Sequence, residues 1–480
     1  MQLPEKLIDS LQEIQNFNKE AFEQVHASGE QVTSIRFNPL KSSMVHGPWS
    51  IVNSQKSIDD HQLTIQHSLF TTHNSALSIH SSVPWSSNGM YLGTRPSFTL
   101  DPLLHAGTYY VQEASSMFLE QALIQSLDIT LPILALDLCA APGGKSTLIQ
   151  SVLSKESLLI SNEVIQSRVN VLKENCIKWG SGNVVVTNND PKDFSKLKGL
   201  FDVLVIDAPC SGSGLFRRDE DAIKEWSEDN VHLCSQRQQR IIADAWDCLK
   251  EDGVLIYSTC SYSFEEDEEI MDWMMKELDV VSIQLKMDKQ WMIDEVQSKE
   301  NAFGYRFWPY KVKGEGFFLA AFRKKEETET VRLKIKSTQA PSKKDAGIAS
   351  AWLQSSEGLT FIMQGQNIAA IPMHWNETIQ FLMQELKVRY AGIELGTIGK
   401  DDLIPEHALA LSTIISSSVF SVELNSEEAL NYLRKKELLI NSKHKGWALA
   451  RYKGFNLGWM KLLGNRINNY YPKEWRIFNL

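Results

Sequence analysis

Hydrophobic residues first recur at helical spacing. Leu3, Leu7, Leu11, Ile14 and Phe17, opening behind Pro4, predict an amphipathic helix that packs against another element. The period then shortens: Thr33 to Lys41 alternates as a strand does and sets Arg36 and Lys41 near one end. Short strands, serine-rich loops and two tryptophans, Trp49 and Trp85, follow to about Leu100. Residues 1–108 are expected to form a small N-terminal α/β domain.

From Tyr109 to Arg323, apolar runs of strand length alternate with helix-period stretches, the pattern of a doubly wound, mostly parallel sheet. The predicted strands are Leu131 to Leu138, Leu158 to Asn162, Asn183 to Thr187, Phe201 to Ile206 and Val254 to Tyr257. A helix over Asn230 to Leu249 carries Ile241, Ile242, Ala245 and Leu249 on one face. Phe307 to Tyr310 and Phe317 to Phe322, around Gly314 and Gly316, predict a closing hairpin. The α/β domain is thus placed at 109–325. Residues 326–346 are polar, of mixed charge and without an apolar face, as a linker is. A small intermediate domain is expected over 347–391 and a last domain over 392–480.

Length and composition narrow the class. A chain of 480 residues exceeds a single core, and 43% hydrophobic with 22% charged residues is an ordinary soluble composition. The net charge of -10 leaves nucleic acid open, because a basic surface can sit inside an acidic whole. Such a stretch exists: from Lys443 to Leu480, basic residues at 443, 445, 451, 453, 461, 466, 473 and 476 face one acid, Glu474. Trp447, Tyr452, Phe455, Trp459, Tyr470, Tyr471 and Trp475 are interleaved with them, and cations on phosphates with rings on unpaired bases are how single-stranded RNA is held. The N-terminus has no signal-peptide pattern and no run reaches the roughly 20 apolar residues of a span, so no membrane is expected. Six cysteines, at 139, 176, 210, 234, 248 and 260, lie mid-chain without zinc or disulfide spacing. This predicts no metal and a reduced, cytoplasmic compartment.

Candidate chemistry gathers at strand ends, where open α/β sheets bind their ligands. The strand over Phe201 to Ile206 ends in Asp207 and breaks into Ala208-Pro209-Cys210-Ser211-Gly212-Ser213-Gly214. A second thiol, Cys260, stands in Ser258-Thr259-Cys260-Ser261-Tyr262-Ser263 at the end of the next predicted strand. Cys176, Cys234 and Cys248 read as packing residues, and Cys139 fits either role. A thiolate suits attack on an electron-poor carbon such as C6 of a pyrimidine, and Asp207 at the ring edge would make that carbon more electrophilic. After the first strand comes Leu136-Asp137-Leu138-Cys139-Ala140-Ala141-Pro142-Gly143-Gly144-Lys145-Ser146, where glycines let the backbone approach a ligand at a helix N-terminus. Its spacing is not the dinucleotide fingerprint. Glu163 ends the second strand, where the acid of a nucleoside-binding fold accepts ribose hydroxyls, and Asn188-Asn189-Asp190 ends the third, where a base edge could bind. One acid after a strand is an ordinary cap, but Asp137, Glu163, Asp190 and Asp207 end four strands in succession. The run Glu265 to Glu269 reads as acids in the first turn of a helix.

These motifs, AAPGGK (140–145), DAPCSGSG (207–214) and STCSYS (258–263), together with YVQEASSM (110–117), RFWPY (306–310) and EGFFLAAFRK (315–324), resemble the NOL/NOP/Sun family of RNA cytosine-5 methyltransferases. The ending LGWMKLLGNRINNYYPKEWR (457–476) is similar to the PUA-like RNA-binding tail of that family's bacterial F-type, which acts on small-subunit ribosomal RNA. The resemblance implies a Rossmann-like methyltransferase core over 109–325, a PUA-like region over 392–480 and S-adenosylmethionine as cofactor. The cofactor would be held by Cys139, Ala140, Ala141, Pro142, Gly143, Gly144, Lys145, Glu163, Asp190 and Asp207. Cys260 would be the nucleophile, Cys210 would help expel it, Asp207 would serve the cytosine edge as well as the cofactor region, and Lys145 would lie nearby as a further catalytic residue. DNA cytosine methyltransferases attack with the Pro-Cys thiol, which would be Cys210 here; the Thr-Cys motif and the basic tail favour the RNA assignment.

The expected partner is ribosomal RNA or the small ribosomal subunit, met by a monomer. Competing readings are an RNA-binding assembly factor with a vestigial site, a cytosine-5 methyltransferase acting on transfer RNA, and a DNA or small-molecule methyltransferase. Intact Cys210, Cys260, Asp207 and Lys145 speak against the first, and the basic tail has no obvious use in the last.

Overall fold

The computed structural model describes residues 3–42, 77–336, 339–400, 402–464 and 466–478; Trp49 lies outside them. Its centre is a ten-stranded sheet. In chain order the strands are β1 (Leu134–Asp137), β2 (Leu158–Asn162), β3 (Val184–Thr187), β4 (Phe201–Asp207), β5 (Leu249–Thr259), β6 (Val280–Ser282), β7 (Asp294–Gln297), β8 (Phe303–Phe307), β9 (Phe317–Lys324) and β10 (Val388–Ala391). β3, β2, β1, β4 and β5 lie side by side and parallel, and β9, β8 and β7 continue the sheet antiparallel from β5. β6 pairs with the same strand, β9. The parallel strands are buried on both faces, which is why their sequences are nearly continuous apolar runs. Strand order reverses between β1 and β4, so the loops after these two strands diverge and open a crevice.

Several boundaries differ from expectation for local reasons. The first arm of the hairpin is Phe303–Phe307, not Phe307 to Tyr310, because Pro309 cannot donate to a ladder and Trp308 turns inward to stack on Tyr262, centroids 5.4 Å apart. The helix Glu228–Ala245 starts at the Ser227 cap and ends before Leu249, which enters β5. At the N-terminus the predicted helix is shorter, Glu5–Leu11, and a further helix, Lys19–Ala27, follows it, capped by Asn18. Between them Asn16 adopts a φ of 65°. Leu7, Leu11, Ile14 and Phe22 pack against Phe216, Trp226, Tyr262 and Trp308, beside the loop that carries Cys260.

Three four-stranded sheets surround this core. The N-terminal one is antiparallel, with Ser34–Phe37 between Gly89–Leu92 and Tyr109–Val111 and with Ile79–Ser82 outermost. A second joins Leu359–Gln364, Asn367–Pro372, Ile393–Ile398 and Leu403–Pro405. The boundary drawn at 391/392 falls between β10, which lies antiparallel on β3 in the large sheet, and Ile393–Ile398 in this smaller one. The last sheet contains Ser421–Glu423, Gly446–Tyr452, Phe455–Leu462 and Ile467–Asn469. Between 326 and 346, Glu326 accepts from the Trp246 indole and Val331 N–H donates to Lys198 O, so that segment runs along the large domain.

Candidate active site

The β1 and β4 loops meet in an ion pair. Lys145 Nζ lies 2.8 Å from Asp207 Oδ1, which also accepts from Ser258 Oγ at 2.9 Å. Burial disfavours the Lys145 ammonium, but Asp207 outweighs it and raises the pKa above its usual value, so the charge persists at neutral pH. Asp207 remains 35% exposed, open enough to meet a ligand.

Cys210 and Cys260 are brought together from the ends of β4 and β5, with their sulfurs 2.9 Å apart and both thiols free. The loops interlock through backbone: Gly214 N–H donates to Cys260 O at 2.8 Å, and a Cβ at Gly214 would stand 2.5 Å from that oxygen. Glycine is required there for the close approach. The hydrogen bond to Cys260 and burial both push the Cys210 thiol well above its ordinary pKa. Cys210 is therefore a neutral thiol facing the Cys260 sulfur.

On the other side of the crevice, Gly143 takes a φ of 114° and starts the helix Gly144–Val152. Ala140 N–H donates to Asn162 O at 2.8 Å, and the Asn162 amide donates to Leu138 O and Asn189 O, fixing the ends of β1, β2 and β3 relative to each other. The helix is held from behind by Arg36, fully buried, which donates to Gln112, Thr147, Ser151 and Gly144 O. Glu163 is buried, accepting Ile165 N–H on Oε1 with Arg168 Nη1 3.4 Å from Oε2. Asp190 accepts Lys192 N–H. Cys139 is part-buried, and burial raises its thiol pKa. Asp137 is fully buried, takes Ser146 Oγ–H on Oδ2 at 2.6 Å and has no partner on Oδ1; burial lifts its carboxyl to about 7.

Reading the acidic run as helix-opening charges is incomplete. Glu268 and Glu269 do open the helix Glu268–Glu277, but Glu266, Asp267 and Glu268 are buried. Arg306, also buried, sits 3.0 Å from Asp267 and 2.5 Å from Glu268, and Thr259 Oγ–H donates to Asp267 at 2.6 Å. An arginine in RFWPY and five acids in one run are the signal in the sequence; spacing alone does not pair them. Arg36 gave less warning, standing alone in a strand of another domain.

Residues 127–323 match the family model described as 16S rRNA methyltransferase RsmB/F, and residues 419–477 match that of the methyltransferase RsmF PUA domain. Ribosomal RNA small subunit methyltransferase F of Psychromonas ingrahamii is 32% identical over 415 residues, covering 82% of this chain and 84% of its own. The chain belongs to the ribosomal RNA small subunit methyltransferase F family. The namesake from Vibrio cholerae is also 32% identical, over 82% of this chain and 85% of its own. Among solved structures, NSun6 from Pyrococcus horikoshii with SFG shares the fold, with a TM-score of 0.51 at 18% identity over 68% of this chain and 99% of that one.

Small subunit methyltransferase F proteins use S-adenosylmethionine. The crevice fits it: a glycine turn at a helix N-terminus, carboxylates after β2 and β3, and the unpartnered Asp137 Oδ1 beneath. In the family's C-terminal PUA domain, Lys443, Lys445, Arg466, Lys473 and Arg476 are exposed, as an RNA-facing surface needs. Tyr471 belongs to its core, Trp459 is buried against Trp352 from outside the domain, and Lys461 lies 5.0 Å over the Trp447 ring.

Proposed function

We propose that this protein methylates carbon 5 of a cytosine in small-subunit ribosomal RNA through a covalent adduct on Cys260. The observation that carries the reading is the contact of two free thiols beside the Lys145–Asp207 pair, one of them held neutral. The two thiols face each other at the binding end of the sheet, with Cys260 as the nucleophile and Cys210 its partner.

Cys260 Sγ adds to C6 of the base and opens the 5,6 double bond. Asp207 holds the base edge, and the Lys145 ammonium offsets the negative charge that the addition places on the ring. S-adenosylmethionine would be held by the 139–145 loop, Glu163, Asp190 and Asp207, and would supply an electrophilic methyl group to C5, its sulfonium leaving as the neutral thioether of S-adenosylhomocysteine. Loss of the C5 proton to a base then restores the double bond as the C6–S bond breaks, and Cys210 S–H stabilises the departing Cys260 thiolate. The target base must leave any helix it occupies, at a cost of a few kcal/mol if paired. The exposed basic residues of the C-terminal domain hold RNA around it, with the protein acting as a cytoplasmic monomer.

The test is nucleoside mass spectrometry of small-subunit RNA, free and in subunits, and of transfer RNA, each taken from cells lacking the enzyme and incubated with protein and S-adenosylmethionine. New 5-methylcytidine is expected. A methyl group on another atom, or on transfer RNA alone, contradicts the reading, and RNA binding without methylation on either substrate points to an assembly factor.

A further inference from the structure

The loops that carry the two thiols share one buried anchor. Glu266 is fully buried, and its Oε1 accepts Ser211 N–H at 2.9 Å and the Gln238 amide at 3.0 Å. Its Oε2 accepts Ser211 Oγ–H at 2.5 Å and Ser261 Oγ–H at 2.6 Å. Ser211 follows Cys210 directly and Ser261 follows Cys260 directly, so each cysteine loop presents a serine to the same carboxylate.

We infer that Glu266 is a positioning residue that sets Cys210 and Cys260 in contact by tying together the residues that follow them. It does not touch the thiols. A carboxylate has four lone-pair sites, and here four donors fill them; an amide would keep only two acceptor sites and add two donors. The clamp therefore needs the charged side chain. Burial raises the Glu266 carboxyl pKa, while the bonds from Ser211, Ser261 and Gln238 pull it back. Tyr257 secures the anchor from below, its hydroxyl donating to Glu266 O at 2.7 Å, with the Gln238 side-chain oxygen 3.0 Å away. Besides their direct pairing, the two strand ends are thus referenced to one shared point.

This inference rests on the two-thiol reading above, but its test does not require that reaction. Diamide oxidation of the purified full-length chain measures how readily the two thiols meet, whatever chemistry they perform. In Glu266→Ala, the rate of Cys210–Cys260 disulfide formation is expected to fall by about 100-fold, the scale of an ångström-size misplacement of reacting groups. On ribosomal RNA substrate, kcat should fall with it while KM for RNA stays unchanged, because Glu266 is buried away from any ligand. Glu266→Gln should restore part of both rates. Ser211→Ala with Ser261→Ala removes the two hydroxyl bonds to Oε2 from the loop side, leaving Ser211 N–H and the Gln238 amide on Oε1, and serves if Glu266→Ala does not fold. Wild-type disulfide rate and kcat in a cooperatively folded Glu266→Ala or double-serine variant overturn the proposal. A slowed disulfide with no methylation by the wild type would leave the clamp standing and overturn the reaction instead.

Discussion

The sulfurs of Cys210 and Cys260 lie 2.9 Å apart although 50 residues separate them in sequence. Parallel pairing of β4 with β5 aligns Asp207 with Ser258, and both chains then turn into the same crevice. Two thiols so placed need only a mild oxidant to join. Hydrogen peroxide should oxidise them to a disulfide, each peroxide yielding two waters, with loss of methyl transfer that dithiothreitol restores. Peptide mapping after alkylation checks this; oxidation that spares the pair would count against their proximity.

Replacing Lys145 by Met leaves Asp207 with Ser258 as its remaining partner and removes the positive charge beside the base. Turnover is expected to drop about 100- to 10,000-fold, with RNA affinity little changed. Asp207→Asn should lose a comparable factor. Single-turnover methylation together with RNA binding distinguishes this from a general loss of affinity.

How far the sequence reveals this arrangement depends on the range of the interaction. Strands β1 to β5 and the helix before β5 follow from apolar period, because each is buried along its own length. The positions of Asp207, Cys210 and Cys260 follow too, since loops after parallel strands must emerge on one edge. Glu266 and Arg306 do not, because an acid in a charged run looks solvated until its distant partner is known. Nor does β10, a short strand whose pairing with β3 comes after an excursion through another sheet.

Arg36 illustrates the same limit and a stability consequence. It is buried and directs its donors to Gln112 and to the helix that follows β1. Arg36→Met should lower unfolding free energy by about 2–4 kcal/mol, through broken hydrogen bonds and stranded carbonyls. Urea unfolding measures it, and a change below about 0.5 kcal/mol, the scale of a surface substitution, would show that Arg36 does not fasten the domains.

Asp137 provides a pH signature. Burial raises its carboxyl from the ordinary 3.8 to about 7, so between these values the folded chain holds a proton that the unfolded chain has released. Its contribution to stability is therefore present at low pH, declines as pH rises from about 4 to about 7, and is flat above. Asp137→Asn keeps an acceptor for Ser146 and removes this decline. Melting temperatures across pH 5 to about 8 should show the variant gaining on the wild type as pH rises; parallel curves would refute the assignment.

The basic C-terminal surface predicts salt dependence. Replacing Lys443, Lys445 and Arg466, all exposed, by Ala should weaken RNA binding and make its log-log salt slope shallower by about 0.7 for each phosphate no longer neutralised. An unchanged slope would place the RNA elsewhere.

Covalent trapping tests the assignment of Cys260 as nucleophile most directly. Wild type, Cys210→Ala, Cys260→Ala and the double variant are each incubated with S-adenosylmethionine and small-subunit RNA from cells lacking the enzyme, then run on a denaturing gel. A protein-RNA adduct is expected to accumulate in Cys210→Ala and to be absent from the double variant. An adduct that forms in Cys260→Ala and requires Cys210 would contradict the assignment.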